Sequence, residues 1–160
     1  MKDILRYLEA NGRADAAEIA AELGRDANEV EAILKQCEDE KIILGYKAVI
    51  NWDRTDADIT GATIAIKIQP QRGDGFDRVA ERICAYDEVE SVTLMSGGEF
   101  DYLVRIEGKS LKEVAMFVAE KLAPLDCVTS TATHFELKKF KDNGISMNKP
   151  HGDQERLTRL

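Results

Sequence analysis

The chain has 160 residues, of which 44% are hydrophobic and 32% charged, with three Pro and eleven Gly. That length holds one ordinary domain, or a unit of about 50 residues beside one of about 90, and the balance is that of a globular protein without disorder or low-complexity bias. A formal net charge of −8 argues against a uniformly basic nucleic-acid binder, but it leaves local basic surface open because only the field at a docking face counts.

No apolar run reaches the ~20 residues that cross a bilayer, and the opening "MKDILRYLEANGR" is too polar for a secretory signal. A cytoplasmic protein with no membrane partner is expected. Cys37, Cys84 and Cys127 are odd in number, widely spaced and match no zinc pattern, so they read as reduced thiols. His134 and His151 are too isolated to suggest a metal centre.

The first 52 residues are predicted to be helical. "DILRYLEANG" sets Ile4, Leu5 and Leu8 at helical spacing and stops at Gly12. "DAAEIAAELG" begins with Asp15 as N-cap and Glu18 three residues on, a capping-box arrangement, and ends at Gly24. The third helix carries Val30, Ile33, Leu34 and Cys37 in an i, i+3, i+4, i+7 stripe. Ala20, Gly24 and Val30 follow the spacing of a helix-turn-helix: a small residue at the helix crossing, a glycine for the turn, and an apolar residue packing the second helix onto the first. "KIILGYKAVIN" is β-rich and broken by Gly45, which predicts a short two-stranded wing.

From about residue 59 the pattern changes to β-α-β-β-α-β. "ATIAIKIQ" alternates Ile64, Ile66 and Ile68 against Ala65, Lys67 and Gln69. "FDRVAERICAY" is an amphipathic helix, "VESVTLMS" a strand, and "EFDYLVRIEG" a strand with Phe100, Tyr102, Val104 and Ile106 on one side. "SLKEVAMFVAEKLA" is the second helix and "CVTSTATHFELKKF" the last strand. The order implies a four-stranded antiparallel sheet with both helices on one face; an isologous dimer, sheet against sheet, would cover the other. The expected organisation is 1–52, 53–140 and a mobile C-terminal tail, 141–160.

Helix-turn-helix plus β-α-β-β-α-β resembles the Lrp/AsnC (feast/famine) regulators over about residues 2–140. "KIILGYKAVIN" is similar to that family's wing and linker, "SGGEFDYLVRIEG" to its Gly-x-x-Asp-Tyr hairpin, and "LAPLDCVTSTATHFEL" to its closing strand. The resemblance implies an α+β protein: an N-terminal winged helix-turn-helix followed by a ferredoxin-like βαββαβ domain of the RAM type. It further implies an amino-acid-responsive transcriptional regulator that binds double-stranded DNA as a homodimer assembling to an octamer. No cofactor is expected beyond an amino acid effector held between dimers.

On the third helix, Asn28 and Gln36 face outward and suit adenine edges, and phosphate contacts fall to Arg25, Lys35 and Lys41. That helix departs from the family's pattern of several arginines, carrying Glu29, Glu31, Glu38, Asp39 and Glu40 instead; residues 1–52 hold seven Lys/Arg against eleven Asp/Glu. Weak DNA binding per subunit is expected, with a sensing or hetero-assembling protein that has lost DNA as the alternative. For the effector, Gly97 and Gly98 allow close backbone approach to a carboxylate, and Asp101 suits an ammonium. The resemblance adds Met95, Gly98, Asp101, Thr133, His134 and Phe135 as the ligand-binding set. The same hairpin also reads as a turn that Asp101 caps with no ligand needed. No nucleophile, acid–base pair or phosphate loop points to an enzyme, and the hairpin lacks the Tyr-Asn-x-Trp-type segment of the related sirohaem decarboxylase subunits.

Overall fold

The computed structural model describes residues 1–69 and 75–147, and the chain divides into two compact units, Met1–Ile50 and a second beginning at Asn51. In the first, helices α1 (Lys2–Ala10), α2 (Ala16–Leu23) and α3 (Ala27–Asp39) bury Ile4, Leu8, Ile19, Ala20 and Val30 together. Asp15 caps α2, its Oδ1 accepting from the Glu18 N–H at 2.8 Å. Gly24 follows in the left-handed region at φ +65°, where a side chain would be strained. Asp26 then caps α3 by accepting from the N–H groups of Asn28 and Glu29.

Helix α3 ends sharply. Lys41 takes a left-handed φ of +59°, its N–H bonding to the Glu38 carbonyl and that of Ile42 to Cys37. This is the Schellman closure, with a lysine where glycine is usual. The two-stranded wing expected over 41–51 is not formed as a paired ladder. Ile43 still packs at the edge of the core, but Leu44, Tyr46 and Ile50 are exposed. A two-stranded ribbon with neither a third strand nor a helix behind it is marginal in water.

The second unit runs β1 (Thr60–Ile68), α4 (Phe76–Cys84), β2 (Val89–Leu94), β3 (Tyr102–Gly108), α5 (Leu111–Phe117) continuing as a π-helical turn (Val118–Leu122), then β4 (Val128–Phe135). The sheet order is β2-β3-β1-β4, antiparallel throughout. Ala62, Ile64, Ile66 and Ile68 of β1 and Tyr102, Val104 and Ile106 of β3 share one core with Val79, Ile83, Val114 and Leu122 from the helices. Each fully buried Val, Leu or Ile stabilises the unit by about 1.5–3 kcal/mol relative to exposure. The residues that alternate with them (Thr63, Ala65, Lys67, Leu103, Arg105, Ala132 and His134) lie on the open face, and none is buried. Strand β4 stops at Phe135, short of the expected Phe140.

Residues 141–147 are ordered, unlike the tail expected from 141 onward. Strands β5 (Lys141–Asp142) and β6 (Ile145–Ser146) form a hairpin. Its turn is Asn143–Gly144, both with positive φ (+44° and +83°), as a two-residue hairpin turn requires. The Asn51 amide donates to the Met147 carbonyl at 3.1 Å. The remainder of the expected tail, His151 included, lies outside the described residues.

Candidate functional site

Because Val30 and Cys37 face the core of the first unit, helix periodicity turns Asn28, Glu29, Glu31, Ala32, Lys35 and Gln36 outward, and all six are exposed. Asn28 and Gln36 therefore stand on one outward face, as expected, with Gln36 donating to Glu40 at 2.7 Å. Lys35 is exposed on the same face and Lys41 closes the helix at its far end. Arg25 is different. Its guanidinium donates to Asp3 at 2.8 Å and to Glu29 at 3.0 Å, so two of its five N–H donors are engaged by carboxylates. Glu38 is also engaged, accepting from the Tyr46 hydroxyl at 2.8 Å.

In the second unit, the Asp101 carboxylate is already bonded within the chain. Oδ2 accepts from the Ile68 N–H at 2.9 Å and Oδ1 from the Lys67 ammonium at 3.2 Å. The Ile68 backbone bond, then Lys67, hold this carboxyl below the usual aspartate range against the cost of its burial. Asp101 thus closes the end of β1 where its register against β4 shifts. Its backbone adds two bonds, N–H to the Ile66 carbonyl and carbonyl to the Met95 N–H. Tyr102, also in the hairpin motif, is fully buried and donates its hydroxyl to the Phe76 carbonyl at the start of α4. Asp and Tyr of the motif therefore hold the sheet end to its neighbours, while Met95 and Gly98 remain exposed at the turn.

The other predicted ligand residues are not brought to that turn. Thr133 sits opposite Ile64 and Phe135 opposite Ala62, both on the helix-covered face, whereas His134 sits opposite Thr63 on the open face. They are also on β4, two strands away from the Asp101 hairpin, about 10 Å at ordinary strand spacing. Met95, Gly98 and Asp101 form one group; Thr133 and Phe135 form another; His134 lies on the open face with Lys67, apart from Thr133 and Phe135. A cavity of about 190 Å³ opens elsewhere, at the opposite end of β3, against Ile106, Val114, Met116 and Phe117 with Glu88 and Glu120 at its rim.

The partners of these residues carry no signal in the sequence, because they come from other elements. Lys67 reaches Asp101 from 34 positions away. On the open face Arg105 donates to Glu136 at 2.8 Å and to Glu107 at 2.7 Å, contacts that hold its guanidinium even more firmly charged. Glu136 in turn lies over Gly61, where a Cβ would meet its Oε2 at 2.7 Å.

A family model for the Lrp/AsnC ligand binding domain matches residues 61–145, and one for a winged helix-turn-helix DNA-binding unit matches residues 1–43. The chain belongs to the Lrp/AsnC family. It is 49% identical to YugG, an uncharacterised HTH-type transcriptional regulator of Bacillus subtilis, over 89% of this chain and 86% of that relative. A proline dehydrogenase transcriptional activator of Rhizobium radiobacter is 26% identical over 89% of this chain and 90% of its own. Among solved structures, the L-methionine complex of a transcriptional regulator from Neisseria meningitidis is 25% identical, with a TM-score of 0.70 covering 91% of this chain and 94% of that one. E. coli AsnC shares the fold at 20% identity, with a TM-score of 0.63 covering 86% of this chain and 89% of that one. This Lrp/AsnC chain is accordingly an HTH-type transcriptional regulator, with a DNA-binding unit followed by a ligand-binding one. Among the described residues no helix is long and apolar enough to cross a membrane.

Proposed function

We propose that this regulator binds promoter DNA through α3 and changes that binding when an α-amino acid occupies its second unit. The observation that carries the reading is the pairing, in one chain, of a helix-turn-helix with outward Asn28 and Gln36 and a βαββαβ unit of a ligand-binding family. An amino acid as effector is supported by the methionine held by the Neisseria meningitidis relative.

On this reading Asn28 and Gln36 contact base edges, while Arg25, Lys35 and Lys41 contact phosphates. Affinity per subunit is low, because every carboxylate at the duplex surface opposes counterion release. Several subunits engaging together restore useful affinity. The open sheet face, with Ala65 and Leu103 between Lys67 and Arg105, is the surface for an isologous dimer. Further assembly then brings Met95, Gly98 and Asp101 of one copy towards residues of another, which is how a pocket divided within one chain becomes complete. Its ligand ammonium competes with Lys67 for Asp101. The cytoplasm is the compartment in which such a regulator meets DNA.

The test is gel-filtered protein titrated onto the DNA upstream of its own gene, with and without a pool of amino acids. Salt-sensitive binding that shifts with the pool supports the reading. A second reading, in which the first unit has lost DNA and docks a basic partner, is favoured by the carboxylates around Lys35 and on Arg25; assembled protein that ignores DNA at low salt selects it.

A further inference from the structure

An open groove of about 770 Å³ runs along α1 to the start of α3, lined by Lys2, Asp3, Arg6, Tyr7, Leu23 and Arg25, with Ala10 and Asn11 at its end. Its charge is unlike that of the rest of the unit. Three of the seven Lys/Arg in residues 1–52 line it, with Asp3 as its one carboxylate. On the outward face of α3, by contrast, Lys35 stands among Glu29, Glu31, Glu38, Asp39 and Glu40. Lys2 and Arg6 are four residues apart on α1, both exposed, which sets their backbones about 6 Å apart along the helix axis. That is close to the ~7 Å rise of two nucleotides along one DNA strand.

Arg25 joins this groove immediately before the Asp26 cap of α3. In helix-turn-helix docking the N-terminal residues of the second helix reach base edges and the first helix of the motif, here α2, crosses the backbone; Leu23 at the end of α2 lines this groove beside Arg25. We propose that this groove seats the phosphodiester backbone of duplex DNA, with Lys2, Arg6 and Arg25 as its contacts and Asp3 as a latch on Arg25. The proposal rests on the DNA-binding reading and adds where the phosphates lie. The latch is the pair of bonds that Arg25 makes to Asp3 and Glu29; the chain's amino group also reaches Asp3, at 3.1 Å. Exposed pairs of this kind contribute little, so an arriving phosphate displaces Asp3 and takes over a guanidinium already aimed by α3. The groove supplies the backbone hold that an acidic α3 lacks.

The experiment is fluorescence anisotropy of the full-length protein on labelled duplexes of two unrelated sequences across a salt series. The variants are Lys2→Gln with Arg6→Gln, the conservative pair Lys2→Arg with Arg6→Lys, and Asp3→Asn. The double neutralisation is expected to weaken binding about tenfold on both sequences and to flatten the salt slope by about two, with the conservative pair restoring both. Asp3→Asn is expected to tighten binding about two- to fivefold at low salt; a gain of that kind cannot arise from misfolding. If the wild type binds and the double variant matches it in affinity and slope, the groove is idle and the DNA-binding reading stands without it. If Asp3→Asn leaves binding unchanged or weaker, the latch is wrong. Absence of wild-type binding at low salt, with the assembly intact, overturns the reading and the groove together.

Discussion

The two units use charge in opposite ways. In the first, a core of five buried residues supports charged side chains that are exposed, and the pairs they make are local or near the surface. In the second, fourteen of the described residues form the buried core, and ion pairs tie strands together: Lys67 with Asp101, and Arg105 with Glu136. Charge in the first unit is available to a ligand at little cost to folding. Charge in the second is part of the sheet. Substitutions should therefore alter DNA affinity with little change in stability in one unit, and stability first in the other.

Truncating the cores gives the largest effects. Ile19→Ala and Ile64→Ala each remove a fully buried side chain and are expected to cost about 2–5 kcal/mol. The smaller core has less to lose, so Ile19→Ala should abolish DNA binding while the second unit still unfolds at its wild-type urea midpoint; Ile64→Ala should lower that midpoint. A common transition for both variants would show that the units do not unfold separately.

Next comes Asp101→Ala, expected to destabilise the second unit by about 1.5–3 kcal/mol through the bonds lost to Ile68 and Lys67. The native carboxyl is held below its ordinary value by the Ile68 bond and then by Lys67. Its contribution is thus present above the ordinary aspartate pKa of about 3.9 and is lost as pH falls through the lower native value. Urea melts should show wild type and variant converging in acid. A gap that persists there would assign the bond no charge.

Two smaller changes probe the first unit. Lys41→Gly relieves a left-handed backbone and should stabilise α3 by about 0.5–1 kcal/mol, read as a higher melting temperature. Glu31→Gln on the outward face should leave the melting temperature alone and tighten DNA about two- to fivefold at low salt. If Glu31→Gln changes stability instead, the contrast between the units fails.

Much of the fold was legible because its signals are local. The Asp15–Glu18 cap, Gly24 and the alternation through "ATIAIKIQ" each depend on residues within one element, and the elements form there. The paired ladder of the wing is not legible, because β propensity in "KIILGYKAVIN" says nothing of whether a partner strand exists. The Asn143–Gly144 hairpin was present as a strong turn signal but hidden by strands only two residues long. The candidate site was legible in part. Asn28 and Gln36 follow from helix periodicity; the occupied donors of Arg25 do not, since Asp3 lies 22 positions away. Likewise Asp101 could be singled out, but its partners Ile68 and Lys67 come from another strand. The pair Lys2 and Arg6 was visible at i, i+4 spacing, yet only the packing of α1 beside Arg25 gives it a setting.

The most direct test of the account is a titration of the assembled protein on its own upstream DNA at two salt concentrations, with and without an amino acid pool. Binding is expected to weaken steeply with salt and to shift when the pool is present. Assembled protein that retains no DNA at low salt, or binding that no amino acid alters, would contradict it.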